Sequence, residues 1–152
     1  MGKTLLIVYH SQSGATALLA RAAADAAAAD SEVTVKVLRA VDAGIRDLAA
    51  ADGLLLALAE NSAAASGAMK DFLDRTFYPA QPLQLNLPYA LLLSAGNDGR
   101  GAVQQVQRIL RGFPMKEVAA PVICRGEVGA DYLQRSGELG LTLAAGLELG
   151  IF

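Results

Sequence analysis

Ser11-Gln12-Ser13-Gly14-Ala15-Thr16 puts three hydroxyls and a glycine into six consecutive residues. The stretch sits directly behind the apolar run Thr4-Leu5-Leu6-Ile7-Val8-Tyr9 and ahead of an alanine-rich segment. A strand that passes at once into a helix offers the free backbone N–H groups and the positive dipole end of the helix start. Glycine lets the backbone come close to a ligand. The chemistry this suits is the holding of a phosphate by neutral donors, since the loop holds no Lys or Arg. It is not a Walker loop, because the Gly-Lys-Ser/Thr ending is missing. It is not the dinucleotide turn G-x-G-x-x-G either. Helix capping explains one hydroxyl; it does not explain three beside a glycine.

Two further stretches carry polar groups behind apolar runs. Ala59-Glu60-Asn61-Ser62-Ala63-Ala64-Ala65-Ser66 follows Leu54 to Leu58, and Gly96-Asn97-Asp98-Gly99-Arg100-Gly101 follows Tyr89 to Ser94. Other reactive residue types lead nowhere. The chain has one histidine and one cysteine, too few for a His-based metal site, a triad or an intrachain disulfide. His10 beside Ser11 is no hydrolase pair, as no G-x-S-x-G elbow is present. It reads as a loop residue near the phosphate. Cys124 lies in an apolar run and reads as a buried structural thiol. Arg100 reads as a solvated loop residue. Lys70, Asp71, Asp74 and Arg75 have i,i+4 partners and read as the solvated face of a helix.

The elements that must position these loops follow from periodicity. Strand-like runs alternate with helical stretches about every 25 residues, the pattern of a parallel α/β sheet. The first run is apolar on both faces, as a central strand should be. A helix is expected over Gly14 to Ala29, a more exposed strand over Val33 to Leu38, and a short helix over Ala43 to Ala50. The third strand is Leu54 to Leu58. Ser66 caps a helix running to about Phe77. The fourth strand is Tyr89 to Ser94, and the next helix ends at Gly112 and Pro114. A fifth strand lies within Glu117 to Cys124, where Pro121 argues for a sheet edge. A last helix, about Ala130 to Leu149, is weakened by its glycines. Five strands of this kind allow the order 2-1-3-4-5, whose ligand crevice opens between strands 1 and 3. The three polar loops converge there.

The loops carry a resemblance. Ser11-x-Ser13-Gly14-x-Thr16 resembles the phosphate loop T/S-x-T/S-G-x-T of the flavodoxin superfamily. Ser66-Gly67-Ala68-Met69-Lys70-Asp71-Phe72-Leu73-Asp74-Arg75 is similar to the S-G-x-x-K-x-F-x-D-R helix of flavodoxin-like NAD(P)H-dependent FMN and quinone reductases. Ser94-Ala95-Gly96-Asn97-Asp98-Gly99 resembles their third flavin loop. The resemblance implies a flavodoxin-like three-layer sandwich with a five-stranded parallel sheet, one domain over residues 1–152, and FMN as cofactor. The cofactor-binding residues it implies are Ser11, Gln12, Ser13, Gly14, Ala15 and Thr16 in the first loop. Glu60, Asn61, Ser62, Ala63, Ala64 and Ala65 follow in the second, and Ala95, Gly96, Asn97 and Gly99 in the third. No catalytic side chain is implied.

The second loop departs from the reductase pattern P-x-x-x-G-x-M-S-G. Ala59 stands at the proline, Ala63 at the glycine, and Ala64 and Ala65 replace larger side chains. Alanine cannot stack on a flavin ring and accepts positive φ poorly. Modest, exposed flavin binding is the expectation.

The resemblance implies an oxidoreductase passing electrons from NAD(P)H through FMN to a quinone or similar small acceptor. The alternatives are a flavodoxin-type carrier that serves a redox partner protein without turnover of its own, and a relative that has lost FMN. A homodimer is compatible with the family. A net charge of -2 gives no electrostatic footprint for nucleic acid. Apolar runs too short to span a bilayer and the lack of an opening signal pattern point to a cytoplasmic protein. Receivers of response regulators share the strand order, but the acidic positions they need hold Tyr9-His10 and Leu58-Ala59.

Overall fold

The computed structural model describes residues 2–152. Its elements run β1 (Thr4–Tyr9), α1 (Ala15–Ala29), β2 (Thr34–Arg39), α2 (Ile45–Ala49), β3 (Gly53–Asn61), β4 (Ala64–Ala65), α3 (Gly67–Ala80), a 3-10 turn (Gln81–Leu83), β5 (Pro88–Ala95), α4 (Arg100–Gly112), β6 (Lys116–Glu117), β7 (Val122–Arg125) and α5 (Ala130–Glu148). The sheet order is β2-β1-β3-β5, closed at the far edge by β6 and β7, which both pair with β5. All of these pairings are parallel. With β6 and β7 taken as one interrupted edge strand, this is the flavodoxin-like order 2-1-3-4-5.

Alternation along the strands builds the two outer layers. Leu5 and Ile7 face one side, where they meet Leu19, Ala23, Leu139 and Leu143 of α1 and α5. Leu6 and Val8 face the other, with Leu48, Phe72, Val106 and Leu110 of α2, α3 and α4. Leu5 to Val8 and Leu54 to Leu58 are fully buried, which is why these runs are apolar throughout. Each such leucine contributes about 1.5–3 kcal/mol relative to exposure.

Three expectations change in detail. The fifth strand is broken in two, with Pro121 in the interruption rather than inside a ladder. Ser66 does occupy the N-cap position of α3, but its hydroxyl makes no cap bond; Ser66 Oγ is buried without a partner. The glycines of α5 serve packing: a Cβ on Gly140 would lie 2.2 Å from the Ala23 carbonyl oxygen of α1. Two small-residue helices thereby approach closely.

Arg75 is more than a solvated residue. The pairs Lys70–Asp74 and Arg75–Asp71 form at 2.8 and 2.7 Å. Arg75 also donates from its terminal nitrogens to the Ala43 and Ala40 carbonyls at 3.0 and 2.9 Å. It therefore ties α3 to the segment after β2. Cys124 is buried, and burial pushes its thiol pKa up, as a structural thiol requires.

Candidate functional site

The loops after β1, β3 and β5 meet at the C-terminal edge of the sheet. Between them lies an open crevice of 220 Å³ lined by Ser13, Ala15, Glu60, Ser94, Ala95, Gly96 and Gly126. This is the switch point where an α/β sheet of this order takes its ligand.

The first loop is shaped from within. Gly14 is the N-cap of α1 with φ 100°, and no side chain caps the helix. Ser11 Oγ accepts from the Gly14 N–H at 3.0 Å, which closes the loop and leaves the Ser11 O–H to donate. Thr16 is buried and its hydroxyl bonds Ser94 Oγ at 2.8 Å, joining the first loop to the third. The Ser13 side chain stays free and lines the crevice. Among the described residues, the N–H groups of Ala15, Thr16 and Ala17 bond no protein acceptor. Three orphan N–H groups at a helix start with the free Ser13 hydroxyl suit a phosphate, and no cation is needed.

The second loop is a β-hairpin, which the sequence did not announce. β3 runs on to Asn61, and β4 returns antiparallel with Asn61 opposite Ala64 and Glu60 opposite Ala65. Ser62 and Ala63 form the turn, both at positive φ, 51° and 60°. This is the hairpin turn that normally selects Asn-Gly. Three contacts hold it. The Ala65 N–H donates to Gln105 Oε1 at 2.7 Å, and the Glu60 carboxylate accepts from the Gly99 and Ala102 N–H groups at 3.2 and 3.4 Å. The hairpin tip also rests on α4, where a Cβ on Gly101 would lie 2.1 Å from the Ala63 carbonyl oxygen. Glu60 thus caps α4 while lining the crevice. Asn61 Nδ2 donates to Gln12 Oε1 at 2.9 Å, linking the second loop to the first.

In the third loop Gly99 is the N-cap of α4 with φ 72°. Asp98 Oδ1 accepts from the Arg100 N–H at 3.0 Å, and Arg125 Nη2 donates to the Asp98 carbonyl at 3.3 Å. Of the sequence-predicted residues, Ser13, Ala15, Glu60, Ala95 and Gly96 line the crevice. Ser11, Gln12 and Asn61 border it through the bonds above. Ser62 and Ala63 sit at the exposed hairpin tip, and Asn97 is exposed. Ser94, Gly101, Gln105 and Gly126 were missing from the predicted set. Gly126 follows β7, so its place behind the last strand was the available signal.

Strain at Ala63 gives a direct prediction. An alanine at left-handed φ costs about 1–2 kcal/mol, partly offset because glycine loses about 0.4–1 kcal/mol more chain entropy on folding. Ala63→Gly should stabilise the protein by about 0.5–1 kcal/mol net, seen as a raised denaturant midpoint at constant slope. A lowered midpoint would contradict the turn geometry.

The sequence model of the NADPH-dependent FMN reductase family matches residues 39–129, and the chain belongs to that family. FMN is therefore its cofactor, and the protein is an FMN-binding flavoprotein oxidoreductase. The match begins behind the phosphate loop, so the loop's geometry is independent of it. No curated protein is significantly similar in sequence. Solved structures share the fold. An archaeal flavodoxin superposes with a TM-score of 0.81 at 21% identity, over 95% of this chain and 98% of its own. A WrbA-like flavodoxin from Agrobacterium tumefaciens gives 0.79 at 19%, over 97% and 99%. An apo NADH:FMN oxidoreductase gives 0.76 at 17%, over 95% and 90%.

The crevice fits the cofactor's phosphate at the start of α1. Away from α1 it offers Glu60, Ser94, Ala95, Gly96 and Gly126, with no aromatic side chain among the lining residues. Among the described residues, no helix is long and apolar enough to cross a membrane.

Proposed function

We propose that the chain is an NAD(P)H-dependent FMN oxidoreductase that delivers electrons to a quinone or a similar small acceptor. The observation that supports this best is the donor set of the first loop. Uncapped N–H groups and the free Ser13 hydroxyl stand at the switch point of a family fold, beside a crevice open to solvent. FMN supplies the redox chemistry when bound; the protein supplies binding, orientation and electrostatics. Ser13 and the α1 N–H groups would hold the phosphate, with Ser11 closing the loop behind them. The hairpin and the third loop would set the ring, with Gln105 and Glu60 fixing the backbone of both. The openness of the ring side leaves room for a flat donor and a flat acceptor in turn.

The test is oxidation of NADPH and of NADH by FMN-loaded protein, with and without a benzoquinone acceptor. Acceptor-dependent turnover supports the proposal. Bound FMN with no nicotinamide oxidation would make the protein a carrier instead. Ser13→Ala should weaken FMN about tenfold, because a hydrogen bond to a charged group contributes about 1.5–3 kcal/mol. Its turnover should recover at saturating FMN. Unchanged FMN affinity in Ser13→Ala would place the phosphate elsewhere.

A further inference from the structure

A second cavity lies beside the phosphate loop, on the side away from the flavin crevice. It measures 210 Å³ and is lined by Tyr9, His10, Ser11, Arg39, Ala40 and Val41. These are the last residues of β1 and β2 and the first of the segments that follow. Tyr9 and Arg39 are partners across the two strands, so the cavity bridges the two strand ends and touches the phosphate loop at Ser11.

Its donors are engaged in part and keep hydrogens to give. Arg39 uses Nε for Asp42 Oδ2 at 2.9 Å; its terminal nitrogens bond nothing among the described residues, and its side chain is 62% exposed. The Ser11 hydroxyl accepts from Gly14 and retains its own hydrogen. His10 Nδ1 is buried without a partner. A buried orphan N–H is rarer and costlier than a bare lone pair, so the imidazole proton belongs on Nε2. His10 lines the cavity, and with Nδ1 buried the only donor its neutral ring can offer there is the Nε2 N–H. A guanidinium, an imidazole N–H and a hydroxyl around one cavity select an anion, and the planar guanidinium selects phosphate or carboxylate geometry. Tyr9 and Val41 add apolar wall. The volume is below the about 300–1,000 Å³ of drug-sized sites, which suits one phosphoryl group with its sugar.

We propose that this cavity is a subsite for a second phosphoryl group, carried by a dinucleotide beyond the phosphate held at the start of α1. The inference rests on FMN binding at the adjacent loop. Two sources share this chemistry: the adenylate half of FAD, continuous with the flavin phosphate, and the phosphoadenosine of a phosphorylated nicotinamide donor.

Calorimetric titrations test it, with FMN and FAD on apoprotein and 2′,5′-ADP on FMN-loaded protein. Arg39→Gln lies on an exposed edge strand and should fold normally; His10→Phe removes the imidazole donor at similar volume. Arg39→Gln should weaken FAD or 2′,5′-ADP about tenfold, the loss of one charge-assisted contact, while FMN affinity stays as in the wild type. An effect on FAD identifies the adenylate half, and an effect on 2′,5′-ADP identifies the donor. FAD and 2′,5′-ADP affinities unmoved by both variants, or FMN weakened equally, would overturn the subsite and leave FMN binding standing. Apoprotein that binds neither flavin would overturn FMN binding itself. The subsite then stands only if apoprotein binds 2′,5′-ADP and Arg39→Gln loses it.

Discussion

Gly101→Val is expected to lower FMN affinity by at least about tenfold, near 1.4 kcal/mol, while the sheet and both helical layers stay folded. Gly101 lies in the first turn of α4, against the hairpin tip, and its missing side chain is what lets the Ala63 carbonyl approach. A Cβ there meets backbone, which has no rotamer to change. The hairpin must lift, and with it the bond from the Ala65 N–H to Gln105 and the register of Glu60 against Gly99 and Ala102. Those contacts set the second and third loops relative to each other. The hairpin tip at Ser62 and Ala63 is exposed, Ala65 at its base is the core residue that shifts, and no buried leucine is touched, so the stability loss should stay within the about 1–3 kcal/mol typical of overpacking. Flavin fluorescence titration and a denaturation curve separate the two effects. Wild-type affinity in Gly101→Val would show that the hairpin takes no part in holding the ring.

That expectation depends on a hairpin that the sequence concealed. The usual marker is Asn-Gly or Asp-Gly at the turn. Ser62-Ala63 carries neither, so the stretch looks like a featureless lead-in to α3. Its geometry comes from long-range partners, Gln105 and Gly101, which lie about 40 residues further on. By contrast β1 and β3 were legible, because burial on both faces forces an unbroken apolar run. The first loop stood out as a candidate phosphate site for a related reason: hydroxyls and a glycine together have no role in a core. What could not be read was the division of labour among them. Thr16 turns its hydroxyl to Ser94, a residue 78 positions away, and only Ser13 is left free to the crevice. Arg75 misled in the opposite way. Its i,i+4 partner Asp71 accounts for it locally, and nothing local shows that two carbonyls after β2 wait for its terminal nitrogens.

Gly140→Ala is expected to destabilise the protein by about 3 kcal/mol, more than Gly101→Val and at the top of the range for overpacking. The added methyl carbon would lie 2.2, 2.7 and 2.8 Å from the oxygen, carbonyl carbon and Cα of Ala23. All three are main-chain atoms in the middle of α1, so α1 and α5 must separate along their shared face. Leu19, Ala23, Leu139 and Leu143 in that layer would lose contact together. For a chain of this length, each kcal/mol lowers Tm by about 2–4 °C, so a fall of roughly 6–12 °C is expected. The site feels the change as well, because α1 begins at the phosphate loop, and a shifted helix moves its free N–H groups away from Ser94 and the third loop. FMN binds only the folded state, so at a hundred times its Kd it should return about 2.7 kcal/mol to the wild type. In Gly140→Ala that return should be smaller at the same FMN concentration, because the affinity is lower. Differential scanning calorimetry of both proteins, with and without FMN, measures the two quantities at once. A Tm equal to the wild type's would show that α1 and α5 do not pack through this glycine. A lowered Tm with an undiminished FMN-induced rise would show that the phosphate loop is fixed by β1 and Ser94 alone, independently of the helix that follows it.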